Sequence, residues 1–336
     1  MAAPFQVPDY ELVIEIARGS YGQVWLARSV VGTWRAVKVV QRSLFNDSRP
    51  YQREFNGICR YEAISRGHVG LVDVLHVGRN EEDGYFYYVM ELADDQVVGP
   101  DVRSAEYNPR TLQSELNARG ALPAYECAAL GAELADALDY LHEQGLIHRD
   151  IKPANIIFVN GRPKLADIGL VADMGYSSFS VGTLGFLPRE GTGDPAGDVY
   201  ALGKVLYEAG TGMDRNSFPD LPDHARGLKS GDKLMQLNQL LLRACAHEEK
   251  GRFASAGEFA EALRHINAPG FFAGPFTWRE RRLLAMAAAL GLLLVLSDAL
   301  LIFQGTRPKP EVKVTPSVDQ SPAEVRGKYQ AGEQSE

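Results

Sequence analysis

Three residues whose side chains suit phosphoryl transfer lie within six positions of the chain: Asp150, Lys152 and Asn155. A carboxylate can accept the proton of a hydroxyl group, an ammonium group can neutralise phosphate charge, and an amide oxygen can bind Mg²⁺. Apolar runs that are typical of short buried strands flank them. An ordinary polar loop could hold the same residue types. The elements around the loop must therefore decide between a phosphoryl-transfer site and an ordinary polar loop.

A helix and a glycine hairpin are predicted upstream of this loop. Residues 123–143 carry apolar side chains at helical spacing with Pro123 near the first turn, which predicts a helix buried beneath the loop. Residues 10–16 alternate as a strand does, and residues 24–27 predict a second strand after Gly19 and Gly22. Glycines let a backbone turn tightly and bring its N–H groups against phosphate oxygens. Because a strand and not a helix follows them, a phosphate-covering hairpin is favoured over a dinucleotide fold.

Two more apolar strands and one amphipathic helix complete the first part of the chain. Residues 35–40 form a strand pattern that contains Lys38, and residues 85–92 are aromatic and β-branched. Between them, Glu54 shares a helical face with Ile58 and Tyr61. Glu62 is the alternative carboxylate on this helix.

The order of these motifs resembles that of a protein kinase. Residues 147–158 match the catalytic loop H-R-D-x-x-x-x-N at every fixed position, residues 35–40 resemble the V-A-I-K strand, and residues 167–169 occupy the D-F-G position with Ile for Phe. Residues from about 9 to 267 resemble a bacterial eukaryotic-like (Hanks-type) serine/threonine kinase. The resemblance implies an α+β, bilobal fold: a small antiparallel β-sheet lobe plus one helix at 9–92, and a larger, mainly helical lobe at 96–267.

The resemblance implies ATP as the nucleotide, bound with Mg²⁺ or alternatively Mn²⁺. Lys38 would contact the α- and β-phosphates and pair with Glu54, with Glu62 ranked second. Asn155 and Asp167 would be the metal ligands. The other implied nucleotide contacts are Ala17, Gly19, Ser20, Gly22, Val24, Ala36, Glu91 and Ala93. Met90 would guard the back of the pocket, or be an ordinary core residue.

The resemblance also assigns the catalytic roles. Asp150 would orient the acceptor hydroxyl and accept its proton, with Lys152 stabilising the γ-phosphate and Lys38 acting on the nucleotide. His148 is expected to be structural. Asp198 would accept hydrogen bonds from the catalytic-loop backbone, or simply cap its helix.

An activation segment is implied at residues 170–190. Glu190, in Pro-Arg-Glu where A-P-E is usual, would form a structural pair with Arg252. The candidate phosphorylation sites are Ser177, Ser178, Ser180 and Thr183. A phosphate there could pair with Arg149 and order the segment. Thr183 could instead contact Asp150 and Lys152.

Composition excludes several other classes of protein. The 336 residues are 45% hydrophobic and 23% charged, which is typical of a globular protein. A net charge of −8 argues against nucleic acid as the main partner. Cys59, Cys127 and Cys245 are far apart and predict buried thiols in a reducing compartment, not disulfides or a zinc site.

Residues 283–303 predict a single transmembrane helix, because 21 residues with one charge, Asp298, can span a hydrocarbon core about 30 Å thick. A buried core helix is the alternative. Residues 1–8 would be an N-terminal extension, 268–282 a juxtamembrane linker and 304–336 a disordered polar tail. The first residues do not resemble a signal peptide, so the kinase domain is expected in the cytoplasm with the tail on the opposite side. Asp298 could pair across a homodimer.

These observations predict a membrane-anchored serine/threonine kinase that transfers the ATP γ-phosphoryl group to protein substrates in signalling, with autophosphorylation. A membrane-anchored pseudokinase acting as a nucleotide-binding scaffold is the alternative, favoured by Ala17, Ile168 and the altered A-P-E. A small-molecule phosphotransferase shares the core, but it agrees less well with residues 152–155 and with Thr183.

Overall fold

The computed structural model describes residues 5–19, 22–102, 106–167, 172–173, 183, 185–188, 194–225 and 227–267. All of them lie in the first of the two units into which the chain divides, Met1–Phe272. Within these residues no helix is long and apolar enough to cross a membrane. The predicted linker, transmembrane helix and tail at 268–336 lie outside the described residues.

The small lobe is built on one antiparallel sheet with the strand order β1-β2-β3-β5-β4. Its strands are Tyr10–Gly19 (β1), Gly22–Ser29 (β2), Trp34–Gln41 (β3), Val74–Asn80 (β4) and Tyr85–Met90 (β5). Every residue of β5 is buried, as its aromatic and β-branched composition predicts. The sheet therefore has a fully buried inner strand, β5, beside β3, the strand that carries Lys38.

One helix, Ser48–Ser65 (α1), packs against this sheet. The Asp47 side chain accepts a hydrogen bond from the Arg49 N–H and caps its first turn. The predicted face is confirmed, because Glu54, Ile58 and Tyr61 are all buried. The prediction of three buried thiols is wrong for Cys59, which is exposed. It follows Ile58 by one residue, and about 100° of rotation turns it away from the sheet.

The outer face of the sheet is covered by the segment before β1, a contact that the sequence pattern did not reveal. Val7 is buried there, and the Phe5 ring lies edge-on to Tyr85 at 5.3 Å. The Tyr85 hydroxyl donates to Gln6 O at 2.7 Å and accepts from Gln6 N at 3.0 Å. Residues 5–8 are thus an ordered part of the small lobe.

The large lobe is mainly helical, and the bilobal α+β fold is confirmed. Its helices are Leu112–Arg119 (α2), Ala124–Glu143 (α3), Pro195–Thr211 (α4), Lys233–Ala244 (α5) and Ala256–Asn267 (α6). Short strand pairs join Leu146–Ile147 (β6) to Ala172–Asp173 (β9), and Ile156–Val159 (β7) to Arg162–Leu165 (β8). α3 approaches α4 so closely that a methyl group on Gly131 would lie 2.6 Å from a Leu206 methyl carbon. This central packing supports the loop between β6 and β7.

The start of α4 decides between the two roles considered for Asp198. Asp194 is the N-cap, and its side chain accepts from the Gly197 N–H at 2.8 Å. Pro195 then begins the helix, a position where a missing N–H is harmless. Asp198 lies in the first turn and is therefore not the cap.

Candidate active site

Asp150 is the centre of a tightly hydrogen-bonded group. Its Oδ2 accepts from Lys152 Nζ at 2.7 Å and from Asn155 Nδ2 at 2.9 Å, and its Oδ1 accepts from the Thr183 hydroxyl at 2.7 Å. Lys152 Nζ also donates to Thr183 Oγ1 at 3.0 Å. The structure thus joins the three residues of the loop and adopts the predicted alternative in which Thr183 contacts Asp150 and Lys152.

Asp198 holds the backbone of this loop from below. Its side chain is fully buried, and its two oxygens accept from the N–H groups of His148 and Arg149, each at 2.8 Å. His142 Nε2 lies 2.9 Å from Asp198 Oδ2. Arg149 has a positive φ of 70°, which costs a non-glycine residue energy and needs such support. Burial would raise the pKa of Asp198, but the hydrogen bond and charge interaction with His142 and the backbone N–H groups outweigh it and hold that pKa below its usual value.

Lys38 contacts a different carboxylate from the one predicted. Its ammonium group pairs with the carboxylate of Asp167, which lies at a positive φ of 60°. No ion pair joins Lys38 to Glu54, and Glu54 Oε1 has no hydrogen-bond partner among the described residues. Lys38 pairs with Asp167 because the positive φ of Asp167 turns its carboxylate towards the Lys38 ammonium group. Glu62, the alternative carboxylate, does not contact Lys38 and pairs with Arg66 at 3.2 Å.

Burial and charge set the protonation of this group. Burial raises the pKa of Glu54 to about 8. The Lys38 ammonium group acts to lower this pKa, whereas the negative charge of Asp167 raises it further. Burial would lower the pKa of Lys38, but the nearby acidic groups, Asp167 foremost, hold it above its usual value. Burial would likewise raise the pKa of Asp167, but Lys38 holds it below the usual range. At neutral pH the site therefore contains an ionised Lys38–Asp167 pair beside a mostly protonated Glu54.

Glu54→Gln is expected to raise the free energy of unfolding at pH 8 and to leave it nearly unchanged at pH 4. The folded pKa of Glu54 lies above its ordinary value of 4.5, so the folded protein binds an extra proton and wild-type stability falls as pH rises from 4.5 towards 8. The amide cannot titrate, so the variant should gain on the order of 2 kcal/mol over wild type by pH 7. Urea unfolding at pH 4, 7 and 8 measures this, with Glu62→Gln on the same helix as control. A gain independent of pH would contradict the raised pKa.

The predicted nucleotide residues of the small lobe lie on neighbouring strands of the sheet, and Ala17, Val24 and Lys38 form one row across it. Ala17 is opposite Val24, and Val24 is opposite Lys38. Ala36 is buried and opposite Met90. The hairpin backbone comes very close to β3, since a methyl group on Gly22 would collide with the Val39 carbonyl oxygen, whereas one on Gly19 would meet nothing within 4 Å. Ser20 lies outside the described residues.

The connection between the lobes is fixed through Glu91. Its Oε2 accepts from Lys164 Nζ at 2.5 Å and from Asp73 N at 2.9 Å, and its own N–H donates to Asp73 O at 3.1 Å. The Ala93 carbonyl accepts from the Tyr107 hydroxyl at 3.0 Å. Met90 belongs to the main hydrophobic core, so its role as a guard of the pocket stays a prediction.

Asn155 and Asp167 have the chemistry that Mg²⁺ requires. Asn155 Nδ2 donates to Asp150 O at 2.8 Å and to Asp150 Oδ2, which directs the amide oxygen away from Asp150. Asn155 O accepts from Ala166 N at 2.8 Å and so ties this residue to the segment that carries Asp167. In the described part of the chain no three acidic, His or Cys side chains form a metal cluster. Mg²⁺ needs none, because it binds through one or two protein oxygens together with phosphates and water.

Several predicted residues stay untested. Glu190, Ser177, Ser178 and Ser180 lie outside the described residues. Arg252 is buried, its Nε donates to Ala246 O at 3.0 Å, and its guanidinium carbon lies 5.0 Å from the centroid of the Tyr200 ring. Its pairing with Glu190 remains a prediction, as do the phosphorylation sites.

Sequence reasoning missed residues that fix the site through long-range contacts. Asp94 accepts from the N–H groups of Asn160 and Gly161 at 2.8 and 2.7 Å, and so joins the inter-lobe connection to the β7–β8 turn. The Asn-Gly pair is a recognisable hairpin signal, but nothing local to it points to Asp94. His142 and Lys164 were likewise not distinguished from other residues of their elements.

The sheet lobe, the pair at Lys38 and the group around Asp150 together define a protein kinase domain. The sequence profile of the protein kinase domain matches residues 10–261. The chain therefore belongs to the protein kinase family.

The relatives are bacterial serine/threonine kinases. The chain is 32% identical to serine/threonine-protein kinase PknA of Mycobacterium tuberculosis over 294 residues, which cover 77% of this chain and 61% of PknA. It is 27% identical to serine/threonine-protein kinase AfsK of Streptomyces coelicolor over 219 residues, 62% of this chain and 25% of AfsK. The crystal structure of a point mutant of the M. tuberculosis PknI kinase domain matches with a TM-score of 0.57 and 25% identity over 80% of this chain and 99% of that one. The chain thus spans a quarter of AfsK and less than two thirds of PknA.

Proposed function

We propose that the chain is an active serine/threonine protein kinase that transfers the γ-phosphoryl group of ATP to protein hydroxyls. The observation that carries the proposal is the group in which Asp150 meets an ammonium, an amide and a hydroxyl within hydrogen-bond distance. The similarity of the chain to named serine/threonine kinases supports serine and threonine hydroxyls as the acceptors.

In this proposal Asp150 orients the acceptor hydroxyl and takes its proton as the oxygen–phosphorus bond forms and the bond to the leaving ADP breaks. The Thr183 hydroxyl already donates to Asp150 Oδ1 at 2.7 Å, which supports the carboxylate as a hydroxyl acceptor. Lys152, 2.7 Å from Asp150, would offset negative charge on the group in transfer.

The nucleotide is proposed to lie between the glycine hairpin and the inter-lobe connection, with Lys38 on its phosphates. Mg²⁺, held by Asn155 and Asp167, would neutralise phosphate charge there. Glu54 lies buried near Lys38, and it would offset the charge of that ammonium group only where the carboxyl ionises, above its raised pKa of about 8. In this arrangement Lys38 would supply a cation beside the phosphates, and Asn155 and Asp167 would supply oxygen ligands for the metal.

The finer parts of the function are proposals that rest on the sequence. Residues 283–303 would anchor the chain in a membrane with the kinase domain in the cytoplasm. The hydroxyls of the activation segment would be autophosphorylated and so couple the kinase to a signal. A membrane-anchored pseudokinase remains the second candidate, because Ala17 and Ile168 replace the usual Gly and Phe.

The test is transfer of label from γ-labelled ATP by the full chain to a generic protein acceptor, followed by identification of the labelled amino acids. The proposal expects phosphoserine and phosphothreonine. Label on tyrosine would contradict the acceptor class, and nucleotide binding without any labelled protein would favour the pseudokinase.

A further inference from the structure

The turn that follows Thr183 packs against the Arg215 side chain, with the Asn216 side chain beside it. The Phe186 N–H donates to Thr183 O at 3.2 Å, and the turn between them passes through Gly185 at a φ of +91°. A methyl group on Gly185 would lie 2.7 Å from Arg215 Nε, so the Arg215 side chain lies directly against this turn. Its guanidinium carbon is 4.6 Å from the centroid of the Phe186 ring, which is 3% exposed. The turn is therefore supported by Arg215 through both the glycine and the ring.

Arg215 is itself fixed to the last turns of α4. Its backbone N–H and its Nη1 both donate to Glu208 Oε1, at 3.1 and 3.0 Å. Lys204 Nζ donates to the Arg215 carbonyl. The first turn of the same helix carries Asp198, which holds the catalytic-loop backbone. α4 thus supports the loop of Asp150 through Asp198, and the turn after Thr183 through the Glu208–Arg215 pair.

We propose that Arg215, held by Glu208, is a positioning residue for the peptide acceptor. The inference rests on the proposed function and assigns a role within it. An acceptor hydroxyl that reaches Asp150 must lie beside Thr183, so the peptide around it passes over the turn that Arg215 supports. The nucleotide is bound by other elements, β1 to β3 and the connection at Glu91. Loss of the arginine should therefore weaken peptide recognition and leave ATP recognition intact.

The test compares Arg215→Ala with Arg243→Ala in the full chain. Arg243 is a matched control in the same lobe, because it also pairs with a glutamate, Glu258 at 2.8 Å, and its guanidinium carbon lies 4.1 Å from the Phe253 ring centroid. The measurements are KM for a serine peptide, KM for ATP, and hydrogen–deuterium exchange of residues 183–188. Arg215→Ala is expected to raise the peptide KM about tenfold with an unchanged ATP KM, since a cation–π contact and its ion pair are lost.

Faster exchange at the Phe186 amide in Arg215→Ala, absent in Arg243→Ala, is the second expected result. Arg215→Lys keeps the charge but not the planar fork, and a smaller rise in peptide KM is expected for it. Equal exchange and equal peptide KM in the two alanine variants would overturn the proposal. A wild-type chain that transfers no phosphoryl group would refute the proposed function, while the exchange data would still decide whether Arg215 holds the turn.

Discussion

Asp150→Asn is expected to lower kcat for phosphoryl transfer by about 10²–10⁴-fold, the range that a general base contributes. The amide has nearly the same shape as the carboxylate and can still accept from Lys152 and Asn155, so the loop should keep its structure. It cannot take a proton from the acceptor hydroxyl. The affinity for ATP should stay close to that of the wild type, because Asp150 contacts only Lys152, Asn155 and Thr183 with its side chain among the described residues.

The measurement is steady-state kinetics beside equilibrium binding of ATP. Asp136→Asn is the control for removal of one negative charge, because Asp136 pairs with Arg264 on the surface of the same lobe. A fall in kcat of less than about tenfold would mean that Asp150 is not the base.

Asp198→Ala is expected to lower the free energy of unfolding by about 3–5 kcal/mol, because it leaves buried donors without an acceptor. The N–H groups of His148 and Arg149 and the ring of His142 all contact this one fully buried carboxylate. Domains of this kind have about 5–15 kcal/mol of stability, so the variant should lose a large part of it and unfold at a clearly lower urea concentration. Urea unfolding followed by tryptophan fluorescence measures the loss.

Asp194→Ala on the same helix is the matched control, since removal of an N-cap typically costs about 1 kcal/mol. Asp198→Asn keeps one acceptor oxygen and should fall between the two alanine variants. Because the pKa of Asp198 is held below its usual value, its contribution is present above about pH 4 and is lost as pH falls further. Equal losses in Asp198→Ala and Asp194→Ala would refute its role as the anchor of the loop.

Local patterns allowed much of the fold and the site to be predicted. The strand that carries Lys38, the buried face of α1 and the catalytic loop each depend on residues a few positions apart. Hydrophobic periodicity indicates the strand and the helix face, and the catalytic loop is assigned by its resemblance to the protein-kinase motif. Cys59 shows the limit of this reasoning, because a shift of one position along α1 separates a buried side chain from an exposed one.

The contacts that could not be predicted join residues far apart in the chain. Lys164 and Glu91 are separated by 73 positions, and His142 and Asp198 by 56. Lys38 illustrates the difficulty, because a lysine near several carboxylates pairs with whichever the backbone places closest. Sequence spacing favoured Glu54, and the positive φ of Asp167 brought that carboxylate to Lys38 instead. Such choices depend on tertiary packing, which no local pattern encodes.

A single-turnover experiment tests directly whether the chain transfers the phosphoryl group. It uses the wild-type full chain in excess over γ-labelled ATP, with Mg²⁺ and a serine-containing protein acceptor. The same samples report how much ATP is bound and how much label reaches protein hydroxyls. An active kinase is expected to convert the bound ATP to ADP, with label appearing on serine or threonine in a single exponential phase. Bound ATP that stays intact in the full chain would contradict a kinase and leave a nucleotide-binding scaffold.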